Sequence, residues 1–153
     1  MKTLTGFTLI ELLIVIATLA LVTTFSIASY SDYQNAQKVE TSASEVVTLF
    51  QTAKSRALSQ VKPTVCNGRV LESYRVTITP GAQNYVLSVI CSGVVTQLET
   101  KKLSQDVLFT TGSTTTITFS LLTGAATSGT INITGYGKTK TITVNTVGNI
   151  GVN

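Results

Sequence analysis

Glu11 is the one charged side chain inside "GFTLIELLIVIATLALV", residues 6–22. A carboxylate near the middle of a bilayer costs about 2.5–3.5 kcal/mol on insertion scales, so an acid there needs a partner or a route to water. Two cysteines, Cys66 and Cys91, supply the second chemistry. Lys138 and Lys140, in "GYGKTK", are the last bases of the chain. Nothing else points to a reaction. There is no His to act as a base, and Asp32, Glu40, Glu45, Glu72, Glu99 and Asp106 fall into no metal or glycosidase spacing. The Ser and Thr residues lack an evident activating partner. "GYGKTK" lacks the full phosphate-loop spacing and precedes a strand pattern, so it reads as a β-turn. Two cysteines without His are too few for a structural zinc site. The expectation is no enzyme, no cofactor and no metal.

The elements that carry these residues follow from composition and period. The 153 residues suffice for one domain plus an anchor. Removing 1–30 removes most of the continuous apolar sequence. The remainder is rich in Thr, Ser, Gly and Val, which suits a β-rich head. The formal charge of +4 comes from 11 scattered bases against 7 acids, with no run longer than Lys101-Lys102, so the linear sequence shows no basic patch for nucleic acid. In an exported domain Cys66 and Cys91 read as a disulfide, with two free thiols as the alternative. A bridge would close a loop of about 25 residues, and the chain-entropy model gives that on the order of 3 kcal/mol.

The apolar run over 7–30 is 24 residues, and about 20 span a bilayer as helix. Lys2 precedes it and Lys38 is the first base beyond it, a slight bias toward a cytoplasmic N-terminus. Two plain readings stand beside each other here: a single-pass anchor, or a signal peptide cut near the A-x-A-like Ser26-Ile27-Ala28. A snorkelling Glu11 is the plain reading of the acid. Beyond the run, Val39, Ala43, Val46, Val47, Phe50, Ala53, Ala57 and Val61 recur at helical spacing, opposite Lys38, Glu40, Glu45 and Lys54. Pro63 cannot continue a helix, so the spacing predicts one helix from about 7 to 60. After Pro63 the period becomes two. "SYRVTIT" and "NYVLSVI" flank "PGAQ" as a hairpin, followed by "GVVTQLE", "TTTITFSLL", "GTINIT", "KTKTITV" and "GNIGV". Regular Thr alternation with Ile, Phe and Val marks strands with a wet face, in an antiparallel sandwich or sheet pair.

"GFTLIELL" resembles the processing motif of type IV prepilins and type II secretion pseudopilins: Gly, then Phe, then Glu four residues later, then an apolar helix. The resemblance implies that a prepilin peptidase cuts between Gly6 and Phe7 on the cytoplasmic side and methylates the Phe7 amine. It further implies that Glu11 pairs with the Phe7 amine of a neighbouring subunit, which would relieve the buried charge. The order "AKSRALSQ", "YRVTI", "ITFSLLTG", "GTINITGYGKTKTITVNTVGNIGV" is similar to the GspH/FimT group of minor pilins and pseudopilins. Its implied fold class is α+β: a long N-terminal helix packed on an antiparallel β-rich head. The implied organisation is a leader at 1–6, a membrane or filament-core helix at 7–30, an amphipathic helix half at 31–62 and a head at 63–153. Implied partners are other pilin or pseudopilin subunits, the prepilin peptidase, the inner-membrane assembly platform and, before assembly, the bilayer. The implied location is the bacterial inner membrane with the head outside the cytoplasm, then the filament. The expected function is a minor pilin or pseudopilin. Two alternatives are a DNA-binding minor pilin, with Lys138 and Lys140 as weak contacts, and an anchored adhesin that does not polymerise. The ending "GNIGVN" carries no base, which weakens the DNA alternative.

The mature chain is therefore expected to begin at N-methylated Phe7. Intact-mass measurement of membrane-extracted protein checks this. An uncut chain in cells with active prepilin peptidase, or a start near Ser29, would refute it.

Overall fold

The computed structural model describes residues 6–153, with the backbone alone over 24–29. The expected leader, 1–6, therefore lies outside the described residues apart from Gly6, as do the side chains of the A-x-A-like site. The first element, α1, is a 50-residue helix, Leu9–Leu58. Among the described residues no helix is long and apolar enough to cross a membrane; the expected span over 7–30 includes the side chains of 24–29. The chain falls into two compact units, 1–35 and 36–153.

In 36–153, α1 buries one stripe. Val39, Ala43, Val46, Phe50, Ala53 and Ala57 lie three or four residues apart and are fully buried, joined by Leu49. Val47 is only half-buried, at the edge of the stripe. Val61, expected in the stripe, is exposed, because the helix has already ended. Gln60 turns left-handed (φ 49°), its N–H meets the Ala57 carbonyl at 3.3 Å, and the Val61 N–H reaches back to Arg56 at 3.1 Å. That is a Schellman closure, and it stops the helix ahead of Pro63. A short 3-10 turn, Thr64–Cys66, follows.

Eight strands complete the head: β1 Leu71–Ile78, β2 Asn84–Cys91, β3 Val94–Lys102, β4 Val107–Phe109, β5 Thr116–Ser120, β6 Gly129–Gly135, β7 Lys138–Val144 and β8 Ile150–Val152. They form two four-stranded antiparallel sheets, ordered β3-β2-β1-β5 and β4-β6-β7-β8. The architecture is α+β. Period-2 patterning places Tyr74, Val76, Ile78, Leu87, Ile117 and Phe119 of the first sheet, and Phe109, Ile131, Ile133 and Ile142 of the second, in one core with the α1 stripe. Phe50 meets the Phe119 ring at 6.3 Å, and Tyr85 meets Phe109 edge-on at 5.8 Å, tying helix to sheet and sheet to sheet. The β2–β3 and β6–β7 hairpins close through two-residue turns, Ser92-Gly93 and Tyr136-Gly137, with positive φ at all four residues. "GYGKTK" is thus a hairpin turn and the start of β7. Gly148 (φ 77°) is required in the β7–β8 loop: a Cβ there would collide with the Gly124 carbonyl oxygen.

The Tyr74 hydroxyl donates to the Val61 carbonyl just past the helix end. The Tyr85 hydroxyl is buried with no hydrogen-bond partner among the described residues. Burial, and then the carboxylates of Glu45 and Glu99, push Tyr85 up to about 12; burial also raises Tyr74, against the pull of Arg56.

An unfolded tyrosine ionises near 10. Between about pH 10 and 12 the unfolded chain loses a proton that folded Tyr85 keeps, so stability is intact below that window and falls as pH rises through it. Tyr85→Phe removes this contribution. Its alkaline slope should be shallower by up to about 1.4 kcal/mol per pH unit. At pH 7 the change should cost less than about 1 kcal/mol, since no hydrogen bond is lost. Urea unfolding at pH 7 and pH 11 measures both; an unchanged slope, or a large loss at pH 7, would contradict the assignment.

Candidate functional site

Gly6, Phe7 and Glu11 sit at the start of α1. The helix opens with a cap. Thr8 precedes the first helical residue, its carbonyl accepts the Leu12 N–H at 3.2 Å, and its hydroxyl accepts the Glu11 N–H at 3.4 Å. The Thr8 hydroxyl in turn lies 3.5 Å from Glu11 Oε2. Thr8-Leu9-Ile10-Glu11 is therefore a variant of the capping box, a threonine followed three residues later by glutamate. The helix dipole favours a carboxylate in this first turn. The T-x-x-E spacing is a helix-start signal that the periodicity reading, which began the helix at about 7, passed over.

Gly6 and Phe7 precede the helix and are exposed. Phe7 and Glu11 are four residues apart, about one helical turn. Around Glu11 the surface is apolar on every side. The large apolar side chains from Phe7 to Val22 are all exposed, from 42% at Val15 to 80% at Leu9. Among the described residues no cation lies within ion-pair distance of Glu11; the ion pairs are Lys101–Glu99 and Lys140–Glu40. A helix apolar all round is a buried helix in its working state.

In the head, Cys66 and Cys91 are joined in a disulfide with Cα atoms 5.7 Å apart, linking the turn after α1 to the end of β2. Both are buried. The same seam is held by backbone: Ser92 N–H donates to the Val70 carbonyl at 2.9 Å, and Val70 N–H to Ser92 Oγ at 3.0 Å.

Lys138 and Lys140 lie on β7 but do not act together. Lys140 Nζ is 2.7 Å from Glu40 Oε2, across to α1, while Lys138 is exposed at the hairpin. Nearby, Lys38 sits 4.8 Å above the Tyr136 ring, and the Tyr136 hydroxyl donates to the Gln105 carbonyl at 3.1 Å. Two of the local cations thus link the helix to the β6–β7 hairpin, Lys38 exposed and Lys140 partly so. Among the described residues no cluster of three or more His, Cys, Asp or Glu is arranged to hold a metal.

A family model described as type II transport protein GspH matches residues 42–148, from the second half of α1 to the β7–β8 loop. Comparison with curated proteins and with solved structures returned no match.

The disulfide closes a separation of 25 residues. Replacing both cysteines, Cys66→Ala with Cys91→Ala, should lower head stability by about 3 kcal/mol in urea unfolding. A loss below about 1 kcal/mol would mean that the Val70–Ser92 hydrogen bonds hold the seam unaided.

Proposed function

The chain belongs to the family of type II transport protein GspH, and we propose that it is a minor structural subunit of a type II secretion pseudopilus or a type IV pilus. On this reading it is cut between Gly6 and Phe7, methylated at Phe7, held in the inner membrane by 7–30 with its head outside the cytoplasm, and then moved into a filament. The observation that carries the reading is the start of α1: an all-round apolar, exposed helix with one acid, Glu11, a turn from Phe7. Lipid covers such a surface before assembly, and neighbouring α1 helices cover it afterwards. Burying each Leu, Ile, Val or Phe contributes about 1.5–3 kcal/mol relative to water. Lipid supplies that as well as protein does, so the apolar surface alone gives no preference for the filament. On this reading Glu11 supplies the preference, its carboxylate pairing in the filament with the Phe7 amine of a neighbouring subunit.

The implied partners are therefore other pilin-like subunits, the prepilin peptidase and the assembly platform. The family's structural role supports a non-enzymatic reading. The DNA-binding alternative draws no support from Lys138 and Lys140, since Lys140 is paired with Glu40. The adhesin alternative gives Glu11 no role beyond the helix cap it forms with Thr8.

Glu11→Ala should leave membrane insertion and Gly6–Phe7 cleavage intact while incorporation falls at least about threefold, because the neighbour's amine stays buried and unpaired. Immunoblots of sheared filaments against membranes measure it. Equal incorporation would defeat the pairing account, and absence of the parent chain from filaments that do assemble would favour the anchored adhesin.

A further inference from the structure

The end of the head where α1 finishes carries exposed apolar surface and basic charge together. Leu58, Val61, Val65, Val70 and Leu122 are all exposed, Val70 at 72%. Val94 and Val95 join them, just past the Ser92-Gly93 turn that is bonded to Val70. Together with Val147, which adjoins Gly148 and its contact to Lys54, these are eight of the ten large hydrophobics exposed in residues 36–153; the other two are Leu108 and Val152. Single exposed apolar residues need no explanation, but a gathered patch marks an interaction surface.

Charge gathers at the same end. Lys54, Arg56, Lys62 and Arg69 stand there against one acid, Glu72. Glu72 is engaged, its carboxylate accepting the Gly93 N–H at 3.1 Å. Lys54 is engaged too, donating to the Gly148 carbonyl at 2.8 Å. Lys62 and Arg69 make no ion pair or side-chain hydrogen bond among the described residues. They line one open cleft of about 470 Å³, with Gly68, Val70 and Leu121 and with no acid in its wall. The loop bearing them is rigid: Arg69 N–H meets the Cys66 carbonyl at 2.9 Å, and Cys66 is bridged to Cys91. Leu122 is held beside the helix end, its N–H donating to the Ala57 carbonyl at 3.3 Å.

We propose that this end of the head is a docking face for a protein partner that presents a carboxylate among apolar side chains. The carboxylate enters between Lys62 and Arg69, where the Arg fork suits bidentate pairing, and the partner's apolar groups cover Val61, Val65 and Val70. The proposal rests on the reading of the chain as a filament subunit, whose neighbours are proteins. A nucleic acid fits this face poorly: no exposed aromatic ring offers a stacking platform, and the valines leave the cations apart from further phosphate contacts. Holding the loop rigid before the partner arrives lowers the ordering cost of binding, which gives the disulfide a role at this face besides stability.

The test uses the full chain in its own cells. A photoreactive phenylalanine analogue placed at Val65 should crosslink to a protein, and mass spectrometry should find the adduct in a segment containing Asp or Glu. Crosslink yield should fall about fivefold or more in Lys62→Glu/Arg69→Glu, and clearly in the milder Lys62→Ala/Arg69→Ala, which guards against misfolding of the reversed form. The control Lys138→Glu, at the exposed β6–β7 hairpin, should leave it unchanged. Unchanged yield in both double variants, adducts to nucleic acid or lipid alone, or no adduct would overturn the proposal. If the parent chain never enters filaments, the filament reading fails, while the Val65 crosslink still decides whether this face binds an acidic protein.

Discussion

Two sheets and one helix close over a single apolar stripe, and the head depends on its burial. Val39, Ala43, Val46, Phe50, Ala53 and Ala57 run along α1 at alternating steps of three and four. Three of the six are alanines, so much of the stripe is made of small side chains. Phe50 fills the space that remains, against Phe119 of β5. The helix meets β5 at one edge of the first sheet and β7 inside the second. The polar flanks of α1 then meet polar groups at the seam: Glu40 with Lys140 of β7, Lys38 with Tyr136, and Ser42 accepting the Ser104 N–H at 3.4 Å. Such half-exposed pairs contribute little individually, and they fix which rotation of the helix is the native one.

Most of this was legible because the patterning is strong where burial is one-sided. The α1 stripe, the break before Pro63, the "PGAQ" hairpin and the alternating Thr strands all follow from period and turn residues. β4 was not legible. Val107-Leu108-Phe109 is three residues, too short to show an alternation, and its strand state comes from pairing with β6 rather than from its own sequence. Leu49 was missed although it lies three residues after Val46 and four before Ala53, on the buried face. Val61 was misplaced because helical periodicity ran on past the point where Gln60 turns left-handed, and nothing in a glutamine announces that turn. For the site, Glu11 stood out as the one charge in an apolar run, and Gly6 and Phe7 through the resemblance to the prepilin motif, whereas the pairing of Lys140 with Glu40 needs the third dimension. The patch around Val61, Val65 and Val70 was illegible for the same reason: its members lie on loops with no period.

The acid at residue 11 has a local role, and the size of that role matters. Glu11 and Thr8 form the helix cap, and a first-turn carboxylate meets the positive end of the helix dipole. Caps and dipole interactions are each on the order of 0.3–2 kcal/mol. An unpaired carboxylate in the bilayer costs about 2.5–3.5 kcal/mol. A cap by itself therefore does not offset the acid's position, and a serine, threonine or asparagine before the helix would cap it at no such cost. The balance changes once a cation sits beside the carboxylate in a dry surrounding, where a hydrogen-bonded pair recovers its desolvation. On the filament reading, Glu11 before assembly lies near the cytoplasmic edge of the bilayer, within reach of water, which makes the cost tolerable rather than prohibitive. On the same reading that exit closes in a filament core, and the Phe7 amine of a neighbouring subunit completes the pair. On the filament reading the acid thus acts as a condition on assembly: it disfavours any helix packing in which the amine of one subunit and the carboxylate of the next fail to meet.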